Sequence, residues 1–436
     1  MNLKYRAAFA AVGFCAANIL YGGLSFGADF LSREEAIRLA IAAAPTLDAA
    51  KERINASHAG IKQADTKPNP TFTADFENFT GSGSFTGFNR SEVTLSYSQK
   101  FERGGKRNLR TALASEDKKI KIAEWHIRRL DLIAEIDKNY ISAATAKARY
   151  ENLKRQVVIY TEIKTAIQKR VKAGKDSNLA VQNAHIRLLG IQNKMAVAKQ
   201  TLEVAKLSLA SMWQGNPDAF LIDITWLSDL PSAMAPLTPE TVEGGPDLTL
   251  WNLRQGLMKA SLALEKSRAV QDPTFKVGVR YHQNSSDMAA IAGVSIPLAI
   301  HNTNRGNIGR AMANLNRSRF DSLEVERRLK RQLVMAHSDQ TSAFMQVRQL
   351  RQNLAAAKEA KNMVMGRLSK GLASYLDVFS AQSMVTEIED LRIAALANFH
   401  TAQVTIDRLF AKHDNNVLPP SIALEGTDVA ADREGL

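Results

Sequence analysis

Two glycines, Gly174 and Gly371, lie roughly half the chain apart, and each interrupts a long amphipathic segment that then resumes. The second break reads Arg367-Leu368-Ser369-Lys370-Gly371-Leu372-Ala373-Ser374-Tyr375-Leu376-Asp377. A fainter copy reads Arg170-Val171-Lys172-Ala173-Gly174-Lys175-Asp176-Ser177-Asn178-Leu179-Ala180. A repeat of this size sets the architecture before any local motif does. Glycine at such a break supplies the left-handed cap that ends a helix, so each half of the chain reads as a long helical hairpin. Aromatic residues make up only 7% of the 436 positions, while Ala, Leu, Gln, Lys and Arg fill the long segments. That bias favours extended helices packed through small side chains over a thick globular core.

Taken in order, Ser32-Arg33-Glu34-Glu35 predicts a capping box; it opens a helix that Pro45 interrupts and that runs on to about Asp65. Lys67-Pro68-Asn69-Pro70 stops it, since proline lacks an N–H and disfavours helix in the residue before it. Two alternating runs follow, at 71–79 and 92–99. Phe72, Ala74 and Phe76 alternate with Thr71, Thr73 and Asp75, and Val93, Leu95 and Tyr97 with Thr94, Ser96 and Ser98. Period two predicts strands with one apolar and one polar face.

One helix is then expected from about Arg107 to Val171, on the order of 100 Å long. Ile120, Ile127, Ala134 and Ile141 recur every seven residues, and so do Ile136, Ala143, Tyr150 and Val157. The two series stand roughly 200° apart around the helix, which demands a neighbour on each side, as in the wall of a tube. Val181, Leu188, Met195, Leu202 and Leu209 form the seam of the returning helix. Residues 216–246, rich in proline and glycine, read as a linker between a first repeat at 29–215 and a second at 247–413. The second repeat follows the same plan. A shorter helix ends at Asp272-Pro273, strands are expected at 274–282 and 288–297, and a long helix runs from about Gly306 to Leu368. Its return carries Ala381, Ile388, Ala395, Ala402 and Leu409, and the tail 414–436 reads as disordered.

The net charge of +13 raises nucleic acid or an anionic membrane surface as partners. The basic residues, however, are interleaved with carboxylates, as in Glu116-Asp117-Lys118-Lys119, which is the pattern of solvated helix faces. Residues 1–28 show the charged, apolar, small-residue order of a secretory signal, and the single cysteine, Cys15, lies inside it. The mature chain would then hold no disulfide and no thiolate metal site. No later stretch has the length of a transmembrane helix, so entry into a membrane has to use strands. Four strands cannot close a barrel, and open edges are not tolerated in lipid. Several chains must therefore share one barrel, with their helices continuing it as a tube. The fold class expected is mainly α with a small β part: long helical hairpins in an α-barrel, plus four membrane strands per chain. No two of the eight histidines stand at i, i+4, so no zinc site or other cofactor is expected. No nucleophile elbow, phosphate loop or acid–base spacing marks an enzyme.

The repeat unit, the glycine-broken hairpins and the strand pairs resemble the TolC family of outer-membrane efflux channels, from about Leu31 to His413. Two stretches are similar to its branch serving cobalt-zinc-cadmium resistance pumps. One is Ser98-Gln99-Lys100-Phe101-Glu102-Arg103-Gly104-Gly105-Lys106-Arg107. The other runs from Val294-Ser295-Ile296-Pro297-Leu298 to Arg305-Gly306, with Ala299 where proline is common in that branch. The resemblance implies a homotrimer with a twelve-stranded barrel in outer-membrane lipid and a helical barrel through the periplasm. It implies two partners, a periplasmic adaptor (membrane fusion protein) and an inner-membrane pump of the resistance-nodulation-division type, with divalent metal cations as cargo and no nucleic acid. Docking tips are expected at Val171, Gly174 and Lys175 and at Lys370, Gly371 and Leu372. A pore constriction is expected at Asp377 and Ser380. Asp377 has a local alternative, capping the start of the returning helix. The competing class is a pore-less periplasmic coiled coil, which would have no use for four alternating strands.

Overall fold

The structure, a computed structural model, describes residues 29–237 and 244–412. The expected signal segment and the tail from 414 onward lie outside the described residues. In chain order the elements are β1 (Asp29–Leu31), α1 (Arg33–Ala42), α2 (Pro45–Ala64), β2 (Thr71–Glu77), β3 (Glu92–Lys100), α3 (Lys106–Lys172) and α4 (Asn178–Ser211). They continue with β4 (Phe220–Ile222), α5 (Pro246–Arg268), β5 (Thr274–His282), β6 (Asp287–Ser295), α6 (Arg305–Ser369) and α7 (Tyr375–Leu409).

The 67 residues of α3 extend for about 100 Å at ~1.5 Å per residue. Its two apolar seams each meet a helix. Ala134 and Ile141 cluster with Val404 of α7, while Ile136 and Ala143 cluster with Leu209 and Ala210 of α4. Helices therefore lie in the order α4, α3, α7, α6 along one half of the molecule. Along the other half α2 flanks α3, and α5 stands between α3 and α6. The result is a single layer of helices, each buried sideways.

The strands form one antiparallel sheet in the order β2-β3-β5-β6. Its register places Phe72, Tyr97, Val277 and Ala292 in one row, and Ala74, Leu95, Val279 and Ala290 in another. The opposite face carries rows such as Asp75, Thr94, Arg280 and Ala289. Phe72 is 69% and Phe76 65% exposed, whereas Thr94 and Ser96 are each 2% exposed. Apolar outside and polar inside is the reverse of a sheet in water and is what a lipid-facing barrel wall requires. Both β2 and β6 are edges, paired on one side only. Two boundaries differ from the periodicity. Strand β2 stops at Glu77 because Asn78 turns the chain at φ 58°, and β6 covers Asp287–Ser295, ending before Pro297, which has no N–H to add to a ladder.

The linker contains a strand that period counting missed: β4 pairs in parallel with β1. Strands of three residues are too short to show a period. The pair is fixed by burial, with Leu31, Phe220 and Ile222 in the cluster around Ile136 and Tyr140. The Tyr140 hydroxyl donates to the Leu31 carbonyl at 2.6 Å, and burial pushes its pKa up to about 12. Beside it Arg33 grips the buried Asp137 with Nε and Nη2 at 2.6 and 2.7 Å. The Ser32 box is only half formed. Ser32 Oγ accepts from the Glu35 N–H at 3.1 Å, but the Glu35 carboxylate turns to Arg38 at 2.8 Å.

On the same belt His400 of α7 stands edge-on to Trp226, ring centroids 4.8 Å apart, with Nε2 3.0 Å from the Leu227 carbonyl. Burial lowers its pKa below the ordinary 6.5. The folded chain thus holds His400 neutral while the unfolded chain protonates it. Stability from this site is complete above 6.5 and is lost as pH falls through the lower folded value. Thermal midpoints are expected to drop on acidification across this range, and His400→Gln is expected to flatten the drop. An identical slope in the variant would remove His400 from the account.

Candidate pore end and docking tips

Both hairpin tips are built by the same pair of backbone bonds. At the first, Gly174 N donates to the Val171 carbonyl and Lys175 N to that of Arg170, both at 2.9 Å. At the second, Gly371 N donates to the Leu368 carbonyl at 3.0 Å and Leu372 N to that of Arg367 at 2.9 Å. This motif satisfies the last carbonyls of a helix and needs one left-handed residue. Gly174 at φ 71° and Gly371 at φ 74° supply it, a conformation that any side chain would strain. The repeat seen in the sequence thus extends to individual hydrogen bonds. Lys175, Lys370 and Leu372 are exposed at the tips, and Val171 is half-buried.

The two tips pack side by side. Ile163, Ile167 and Leu188 of the first hairpin share a cluster with Leu368, Val378 and Phe379 of the second. Tyr160 and Phe379 stack with centroids 5.5 Å apart. Arg170 lies over the Tyr375 ring at 5.7 Å, and Arg187 over that of Phe379 at 5.2 Å. Arg170 is also held by Asp176 at 2.7 Å, and that bond raises its pKa.

Asp377 occupies the first turn of α7 and closes a complete capping box. Its carboxylate accepts from the N–H and the hydroxyl of Ser374, both at 2.8 Å, while Ser374 Oγ accepts from the Asp377 N–H at 3.3 Å. The two bonds from Ser374 hold the carboxyl below its ordinary pKa, so it is charged at neutral pH. The capping role is therefore realised, and the side chain is also exposed, as is that of Ser380 one turn on. In the first hairpin Ala180 takes the corresponding place, and Ser177 caps α4 without a side-chain bond.

Far from the tips, a junction the sequence did not reveal joins helices to sheet. Lys106 Nζ donates to Asp272 Oδ1 and to the Val270 carbonyl, both at 2.6 Å, and Arg103 N donates to the same carboxylate oxygen at 2.9 Å. Phe101 N donates to the Pro273 carbonyl at 2.9 Å. Gly104 sits at φ 68°, where a Cβ would come within 3.1 Å of Val270. The Lys100–Arg107 stretch is thus the turn from strand to helix. Asp272 read only as part of a helix stop, and its partners lie in the other repeat, so no local spacing could flag it.

Among the described residues no group of three or more His, Cys, Asp or Glu side chains is placed to hold a metal ion. Among the same residues no helix is long and apolar enough to cross a membrane. A groove of about 1190 Å³ lies between α3, α6 and α7, with Asp131, Asp339, Arg328 and Arg408 on its walls beside Leu329, Met335 and Leu409.

A sheet with its apolar face outward, open at both edges and continued by helices some 100 Å long, defines an outer-membrane channel that extends into the periplasm. Residues 36–215 and 250–412 match the outer membrane efflux protein family, and the chain belongs to that family. It is 26% identical over 384 residues to the cobalt-zinc-cadmium resistance protein CzcC of Cupriavidus metallidurans, covering 88% of this chain and 90% of that one. Its fold is shared with the outer-membrane channel OprN, at 17% identity and a TM-score of 0.72 over 87% of this chain and 89% of that one. It is shared equally with VceC of Vibrio cholerae, at 16% identity and a TM-score of 0.70 over 87% and 96%. The pore-less coiled coil is set aside.

Proposed function

We propose that three copies of this chain form the exit duct of a tripartite efflux system carrying divalent metal cations out of the cell. The observation that carries the duct is the sheet: four strands, two free edges and an outward apolar face make a wall segment that only further copies can close. Three copies give a twelve-stranded barrel, a size known for such walls. Metal cargo is supported by the similarity to CzcC over nearly the whole chain. The pump selects the cargo, so the duct itself needs no chelating site. A periplasmic adaptor docks at Val171, Gly174 and Lys175 and at Lys370, Gly371 and Leu372, and an inner-membrane pump of the resistance-nodulation-division type supplies the cargo. Deleting the chain is expected to sensitise cells to zinc, cobalt or cadmium; unchanged tolerance to all three would remove the metal assignment.

In this reading Asp377, with Ser380 beside it, rings the narrow end of the pore, and its charge favours cations. Asp377→Asn is expected to lower the cation-over-anion preference of single channels about threefold. Ser374→Ala removes the hydroxyl half of the cap but keeps the charge, and should leave that preference unchanged. Equal effects from both variants would show that Asp377 acts only as a helix cap.

A further inference from the structure

At the end of the sheet away from the helices, two connections close the strand pairs. The β5–β6 turn, Gln283-Asn284-Ser285-Ser286, is short and polar. The β2–β3 loop at 78–91 instead carries Phe79, Phe85 and Phe88, which are 49%, 41% and 72% exposed. Its shape is set by its own bonds: Thr86 Oγ1 donates to the Gly83 carbonyl at 2.8 Å, and Ser91 N to that of Phe88 at 2.9 Å. Phe79 and Phe88 line an open cleft of about 340 Å³ together with Phe76 and Val93, and Ser91 and Glu92 complete its lining. Phe76 and Val93 are partners across β2 and β3 on the outward apolar face. The loop therefore folds over the lipid-facing side of the wall, and the cleft continues that side past the last row of strand residues. The Glu92 carboxylate accepts from Arg280 at 3.1 Å and that of Glu77 from the same guanidinium at 3.3 Å, so the charge beside the cleft is already compensated. Arg90 is the one charged residue within 78–91. It is exposed, lies 5.8 Å from the Phe85 ring centroid, and among the described residues has no carboxylate partner.

We propose that loop 78–91 holds a phosphorylated glycolipid of the outer leaflet, with an acyl chain in the cleft among Phe76, Phe79 and Phe88 and a phosphate on the Arg90 guanidinium. Because the helices extend into the periplasm, this rim of the sheet lies at the outer leaflet. A barrel wall sets aromatic rings at the rim of its apolar band, and basic groups just beyond apolar surface recognise anionic headgroups. A guanidinium meets a phosphate through paired N–H donors. The cleft is open and walled mainly by phenyl rings, which suits a chain lying along the surface rather than a ligand that must be enclosed. The polar β5–β6 turn shows how the same sheet builds a connection that faces water. The inference uses the membrane location of the wall and does not rest on the cargo or on the pore-end reading.

The test is native mass spectrometry of the full-length oligomer in detergent, titrated with diphosphorylated lipid A, with phosphatidylglycerol and with phosphatidylethanolamine. Lipid A is expected to saturate at one per chain and to bind about tenfold more tightly than phosphatidylglycerol, because its phosphate monoester carries more charge than a diester. Arg90→Ala should weaken lipid A about tenfold and leave phosphatidylethanolamine within about twofold of wild type. Phe79→Ser combined with Phe88→Ser should weaken all three lipids while leaving the oligomer intact. Lipid A held equally by Arg90→Ala, phosphatidylglycerol bound as tightly as lipid A, or an oligomer that falls apart in the double serine variant (the mark of rings that face a neighbouring copy) each overturns the proposal. None of these results bears on conductance or metal tolerance, so the efflux reading stands or falls separately.

Discussion

Replacing Gly278 with valine is expected to prevent assembly of the membrane barrel. A Cβ at this position would lie 2.4 Å from the Leu95 carbonyl oxygen and 2.9 Å from Ser96 Cβ. The nearest obstacle is backbone of the neighbouring strand, so no side-chain rotation relieves it. Gly278 pairs with Ser96 in the β3–β5 ladder, and that ladder is the one that joins the two repeats within the sheet. Overpacking typically costs about 1–3 kcal/mol and occasionally more; here the obstacle is backbone, and each copy in a shared barrel would pay it. The measurement is the yield of heat-resistant oligomer in outer-membrane fractions. Gly293→Val is the control: its Cβ would meet nothing within 4 Å, and it lies on the same inward face. Normal assembly of Gly278→Val, or equal failure of Gly293→Val, would refute the tight seam.

Asp272→Ala is expected to be the most damaging change at the base of the barrel. The side chains of Lys106 and Asp272 are only 11% and 8% exposed. Removing the carboxylate strands the ammonium, and breaking a buried pair from one side costs about 3–5 kcal/mol. It also takes the acceptor from Arg103 N. Burial works against the Asp272 charge, but the bonds from Lys106 and Arg103 outweigh it and hold the carboxyl below its ordinary 3.8. Its contribution is therefore fully present above that value and is lost as pH falls through the lower folded one. Thermal unfolding of the oligomer at neutral pH reads the loss, and Asp272→Asn should fall between wild type and alanine. A midpoint within about a degree of wild type for the alanine variant would show the pair to be idle.

Much of the fold was legible because its signals are periodic. The seven-residue series through Ile141 and Ala143 placed a neighbour on each side of α3, and α7 and α4 occupy those sides. Alternation through Phe72, Leu95 and Val279 marked the strands, and Gly174 and Gly371 marked both tips. Capping by Asp377 was open from the sequence as a local alternative, and the structure supplied its partner, Ser374. The β1–β4 pair was not legible, since three residues carry no period. Nor was the Lys106–Asp272 pair, whose members are far apart in sequence, or the amide bond between Gln382 and Gln156, which depends on α3 meeting α7.

By itself the sequence determined the repeat, the helix and strand periods and the amphipathicity of each face, because these depend on neighbours a few residues away. Only the tertiary structure decided which strand faces were covered. Alternation shows that Thr94 and Leu95 point to opposite sides but not which side is buried, and the burial of Thr94 with the exposure of Leu95 is what turns a generic sheet into a membrane wall. It also decided which distant charges and amides meet, since those contacts are set by how whole helices dock rather than by any local spacing.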